Sequence, residues 1–122
     1  MKRSYVKPAR VIDLRESGRV ILAHGEVTGH CHEVIDAVAT LDPAEIEIPA
    51  ADFFEEPDGR RILLVNRPCE LRHQEHGPIA LDPRHPQQYR QGDVLLNPIG
   101  DGAWEVIRQR EYDPADIRQV AD

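Results

Sequence analysis

Glycine and proline interrupt this chain so often that few apolar stretches are long enough for a helix. The 122 residues include 8 Gly and 10 Pro, and the runs between them are short and rich in Val, Ile and Leu. Short β-branched runs bounded by turn residues are the signature of strands. Residues 10–14 and 19–23 flank Glu16-Ser17-Gly18 and predict a hairpin. The second strand runs towards Gly25, a bulge or turn, and the chain resumes as Glu26-Val27-Thr28. Further strands are expected at residues 30–36, 45–48, 61–65, 69–73, 78–81, 93–96 and 103–112, with Pro49 ending the second of these. Residues 42–58 and 82–91 read as long loops. Only the tail carries helix signals: Asp113 as N-cap, Pro114 at the first helical position and Asp116 in the first turn, running to Val120. The expectation is one all-β domain over residues 1–122, a small β-barrel or sandwich closed by a short C-terminal helix.

Composition narrows the class. Hydrophobic residues make up 40%, with only two Phe, one Trp and three Tyr, so the core is aliphatic. No run approaches the ~18 apolar residues that a membrane span requires. Met1-Lys2-Arg3-Ser4-Tyr5 leads into Val6-Lys7-Pro8 without an apolar leader segment, which predicts a cytoplasmic protein with no membrane partner. Cys31 and Cys69 are then expected as reduced thiols. The net charge is −7. Between Glu33 and Gly59 there are nine acidic residues and no Lys or Arg, which reads as a solvated face. A duplex-binding surface needs a dominant basic patch, so the balance argues against nucleic acid.

Five of the six histidines fall in two short segments, His24-Gly25-Glu26-Val27-Thr28-Gly29-His30-Cys31-His32 and His73-Gln74-Glu75-His76-Gly77. Neutral imidazole is the commonest protein metal ligand, and an His-x-His pair on a strand is a usual start for a three- or four-ligand site. Alternation along a strand puts His30 and His32 on one face and Cys31 on the other. Cys69 and Leu71 mark the inner face of the later strand, so His73 points inward with them. His76 can meet His73 around the turn before Gly77-Pro78. Burying four imidazoles without a metal leaves polar nitrogens to satisfy. The pattern therefore predicts one divalent transition metal ion (Zn, Fe, Ni or Mn) held by His30, His32, His73 and His76. Glu75 is a candidate ligand, an acceptor orienting an imidazole, or a general base for metal-bound water; a solvent-facing glutamate is the plain alternative. His24, His85, Cys31 and Glu26 carry weaker signals.

Two resemblances attach to these motifs. The segments Gly25-Glu26-Val27-Thr28-Gly29-His30-Cys31-His32, His73-Gln74-Glu75-His76-Gly77-Pro78 and Arg108-Gln109-Arg110-Glu111-Tyr112 resemble a small uncharacterised bacterial and phage family with GEVTGHxH, HxEHG and QREY motifs. In that pattern a GDVL segment usually stands near the N-terminus. Here Gln91-Gly92-Asp93-Val94-Leu95-Leu96 falls late, as an inserted or rearranged strand would. The second resemblance is to the cupin barrels. Gly92-Asp93-Val94-Leu95-Leu96-Asn97-Pro98-Ile99-Gly100 is similar to the second cupin motif, and His30-Cys31-His32 to the first. Ala103 stands where that motif has its histidine, with His73 or His76 as spatial substitutes. This likeness implies a mononuclear Fe, Mn, Ni or Zn site with oxidative, isomerising or purely binding roles.

The functional expectation is a small metal-binding β-protein with a His-rich site, acting as a metal-dependent enzyme if one coordination position stays open. The alternative is a non-catalytic, metal-stabilised module that binds a small molecule or protein partner or forms a homo-oligomer.

Overall fold

A computed structural model of the protein describes residues 5–25, 29–35 and 49–109. These form ten strands: β1 (Ile12–Asp13), β2 (Val20–His24), β3 (Cys31–Ile35), β4 (Ala51–Glu55), β5 (Arg61–Val65), β6 (Cys69–Arg72), β7 (Ile79–Leu81), β8 (Tyr89–Gln91), β9 (Val94–Gly100) and β10 (Ala103–Arg108). They pair into a six-stranded sheet, β1-β4-β5-β10-β9-β8, and a four-stranded sheet, β2-β3-β6-β7. Every pairing between these strands is antiparallel. The all-β expectation holds. Of the two architectures it allowed, the sheets remain separate and face each other as a sandwich rather than closing into a barrel. The strand expected at residues 45–48 and the helix expected from Asp113 to Val120 lie outside the described residues. Among the described residues no helix is long and apolar enough to cross a membrane.

The core lies between the sheets. Leu63, Val65, Leu96, Trp104 and Val106 of the larger sheet meet Val20, Leu22, Val34, Cys69, Leu71 and Leu81 of the smaller. Trp104 is fully buried, and its indole N–H donates to the Gln87 carbonyl at 2.8 Å, so its polar atom is satisfied. Ten strands this short have marginal pairing energy on their own. Burial of these aliphatic side chains, ~25 cal/mol per Å² of apolar surface, supplies most of the stability.

Two departures from the sequence reading follow from packing on both faces. The turn at Glu16-Ser17-Gly18 forms as expected, with φ of 54° at Ser17 and 80° at Gly18. Glu16 and Arg19 exchange two backbone hydrogen bonds of 2.9 Å across it, the geometry that suits a tight two-residue turn. Its legs, however, part into different sheets. β1 is two exposed residues paired with β4, and the Leu14 N–H donates to Phe53 O at 2.9 Å. β2 is buried from Val20 to Ala23 and pairs with β3. The register of β2 against β3 shifts between Ile21 and Ala23, a bulge that bends this edge.

The segments read as loops each hide a strand. β4 lies within residues 42–58. Its Phe53 and Phe54 are adjacent and both buried, so no alternation marks it. Phe53 enters the core between the sheets, whereas Phe54 lies on the outer face beside the Tyr5 ring, 6.5 Å between centroids, with Lys7 Nζ 4.8 Å above it. β8 lies within residues 82–91, and its buried residue is the polar Gln91.

A candidate metal centre

Strand β3 carries His32 into the interior at 2% exposure. The chain after β6 turns back through residues 73–78 to β7, and that turn carries His73, Glu75 and His76. The four imidazoles come together. Ring centroids are 4.4 Å apart for His32–His73, 4.7 Å for His73–His76, 5.7 Å for His30–His73 and 6.1 Å for His32–His76. The turn is pinned from two sides. Gln74 Oε1 accepts the Cys31 N–H at 2.9 Å, and Gly77 O accepts from the Gln91 side chain at 2.9 Å.

Gln91 and Asp93 complete the cluster from the other sheet, and neither was expected from sequence. The Gln91 amide nitrogen donates to Leu71 O at 3.0 Å as well as to Gly77 O. Its oxygen is thereby left as an acceptor, 2.8 Å from His32 Nδ1. This network places a proton of His32 on Nδ1 and turns Nε2 to the other side of the ring. An orienting acceptor on one ring nitrogen is the arrangement that prepares the other to bind a metal. His32 Nε2 faces Asp93 Oδ1 at 3.3 Å. Arg108 Nε donates to Asp93 Oδ2 at 2.9 Å, and Arg108 also donates to the His24 carbonyl. Burial alone would raise the Asp93 pKa. The Arg108 hydrogen bond and charge outweigh it and hold the carboxyl below its usual range. The only hint in the sequence was the likeness of Gly92–Gly100 to a metal-site motif.

Gly92 makes the approach of the two segments feasible. Its φ is +60°, and a Cβ there would stand 2.8 Å from His76 Nε2 and 3.3 Å from His32 Cε1. Any side chain would push into both rings.

His73 is held neutral. Burial lowers its pKa first, and the neighbouring His32, His76 and His30 lower it further against the opposing pull of Glu75. The Glu75 backbone N–H lies 3.0 Å from His73 Nδ1, which accepts it; in the neutral ring the proton then sits on Nε2. The Glu75 carboxylate is 63% exposed and lies 3.6 Å from His30 Nδ1, which is 23% exposed. The cluster thus grades from the buried His32 to an exposed rim at Glu75 and His76. Among the described residues no group of three or more His, Cys, Asp or Glu side chains has its donor atoms already placed to hold a metal ion. The rings are close, but one nitrogen each of His32 and His73 is engaged by Gln91 or the backbone.

The weaker candidates separate from the cluster. His24 is exposed and paired with Glu16 at 2.8 Å. His85 is exposed, 4.0 Å from Asp82. Cys31 and Cys69 are both buried. Glu26 lies outside the described residues. A cavity of about 920 Å³ between Tyr5, Glu56, Arg60 and Pro98 lies apart from the histidines. Its buried Glu56 is fully engaged by the Tyr5 hydroxyl and Arg60, a structural arrangement.

The family described as Domain of unknown function (DUF8820) matches residues 3–84, which include both histidine segments, and the chain belongs to it. No curated protein and no solved structure matches the chain.

Proposed function

We propose that this member of the DUF8820 family binds one divalent transition metal ion through imidazoles drawn from His30, His32, His73 and His76, in a site that keeps a position open to solvent. The observation that carries this reading is the spacing of the rings. A metal bonded to an imidazole nitrogen at 2.0–2.1 Å lies ~3.2 Å from that ring's centroid, so two imidazoles on one tetrahedral ion have centroids ~5 Å apart. Four of the six ring pairs, at 4.4–6.1 Å, straddle that value. Coordination then requires rotation of rings already in place rather than movement of strands.

The grade from buried to exposed favours an open centre over a closed structural one. A bound ion supplies Lewis acidity and brings the pKa of a coordinated water towards ~7. The chain's residues do the rest. Gln91 fixes the His32 ring, Gly92 admits His76, and Glu75 on the rim takes up a proton from water at the site and returns it to a leaving group. Zn would suit hydrolysis, and Fe would suit oxygen chemistry.

Elemental analysis of untagged protein tests the reading. Close to one equivalent of Zn, Fe, Ni or Mn per chain is expected, and the His30→Ala/His32→Ala double variant should lose it. Glu75→Gln should keep the metal and alter the ionisation of the bound water. Wild-type protein that is metal-free and gains no thermal stability from any of the four ions sinks the proposal.

A further inference from the structure

Among the described residues, Asp93 is the carboxylate that reaches the buried end of the histidine cluster. We infer that Asp93 is itself a metal ligand, forming with His32 and His76 a two-histidine, one-carboxylate set around the Gly92 turn; the inference rests on the metal-site reading and names its inner ligands.

Three observations converge on that turn. Gln91 accepts from His32 Nδ1, so Nε2 is the ring nitrogen that faces Asp93 Oδ1, at 3.3 Å. A lone pair and a carboxylate oxygen repel at that distance unless a positive centre lies between them. A proton or a metal ion provides one. The second observation is His76, whose Nε2 lies 2.8 Å from where a Gly92 Cβ would stand, a point 3.3 Å from His32 Cε1. The third is Arg108, which binds the distal oxygen of Asp93 and leaves Oδ1 turned to His32. A carboxylate with one oxygen held by an arginine and the other presented to a cluster of imidazoles is oriented as metal-binding carboxylates are.

This assignment changes the role of His73. Its Nδ1 accepts the Glu75 N–H, so its Nε2 carries a proton and its ring lines the site as a donor. Three protein ligands with open positions suit Fe(II) or Mn(II) better than a closed imidazole tetrahedron suits them.

Metal titrations under anaerobic conditions, with Fe(II), Mn(II) and Zn(II) each used alone, test the inference on the full chain. Asp93→Asn keeps the shape and the Arg108 partner but removes the charge. It should weaken binding by ~100-fold or more, beyond what loss of an orienting partner usually costs. Arg108→Gln should weaken it less, by ~10-fold, since it only releases an orienting contact. Asp93→Cys gives an independent readout: loaded with Co(II), it should show a thiolate-to-metal charge-transfer band that wild type lacks. Wild type that binds none of the ions overturns the metal-site reading itself. Wild-type binding matched by Asp93→Asn, equal losses in Asp93→Asn and Arg108→Gln, or a folded Asp93→Cys without the band each overturn the ligand assignment and leave the histidine site standing.

Discussion

Gly92 shows how one backbone position can control a site built by side chains from distant segments. Its left-handed φ of +60° costs an L-residue ~1–2 kcal/mol, and a Cβ would also displace His76 and His32. Gly59 offers a matched reference, with φ of +95° and nothing within 4 Å of its Cβ position. Gly92→Ala and Gly59→Ala should therefore lose similar stability in urea denaturation, ~1–2 kcal/mol each. Only Gly92→Ala should weaken metal binding. Equal metal affinity in the two variants would show that the approach of the rings to this turn has no bearing on the site. The histidines were legible in sequence because their residue type and spacing carry the chemistry. Gln91 and Asp93 were not. A buried glutamine announces itself only through the carbonyls it reaches, and those lie on β6 and the following turn, 20 and 14 residues away along the chain.

At the scale of the strand, β5 is the element whose reading held best, since Pro57-Asp58-Gly59 set its start and its apolar run set its length. Its residues also show why β4 was missed. Ile62 and Leu63 are neighbours on opposite faces, and both are fully buried. The segment from Tyr5 lies against the outer face, so strands in this sheet need not alternate. β4, with Phe53 and Phe54 side by side, obeys the same rule but lacks the Val and Ile that advertise a strand. Leu63 belongs to the core between the sheets. Leu63→Ala should cost ~2–5 kcal/mol through lost burial and a residual cavity. Leu64→Ala, at a half-buried position, should cost clearly less. Urea midpoints decide it; a loss below ~1 kcal/mol for Leu63→Ala would mean that the facing sheet closes over the gap.

For the whole molecule, acid is the condition that should loosen the fold first. His73 has a folded pKa below its ordinary value, mainly from burial. Its contribution is therefore complete at high pH and declines as pH falls below the unfolded value of ~6.5. A second decline follows from carboxylates. Burial opposes the lowering of Asp52, but hydrogen bonds from Arg15 and Asn66 prevail; Glu33 is lowered chiefly by its hydrogen bond to Arg19. Groups of this kind stabilise above their unfolded pKa and lose that contribution as pH falls through the folded one, here below ~4. Urea midpoints of metal-free protein should fall in two steps between pH 7 and pH 3, and Asp52→Asn should flatten the second. A midpoint that rises on acidification contradicts the sign. The sandwich as a class was legible in the short runs and dense turns; which strand joins which sheet was not, because the Ser17-Gly18 turn leads its two legs into different layers.

The strand order also governs how copies of this chain can meet. Each sheet ends in strands poorly suited to recruit another: β1 has two residues, β7 and β8 three each, and β2 is bent by its bulge. A ladder of unpaired N–H and C=O groups needs length and flatness to template a foreign strand. Among the described strands no sheet border offers both, so these borders are poor templates for edge-to-edge polymerisation.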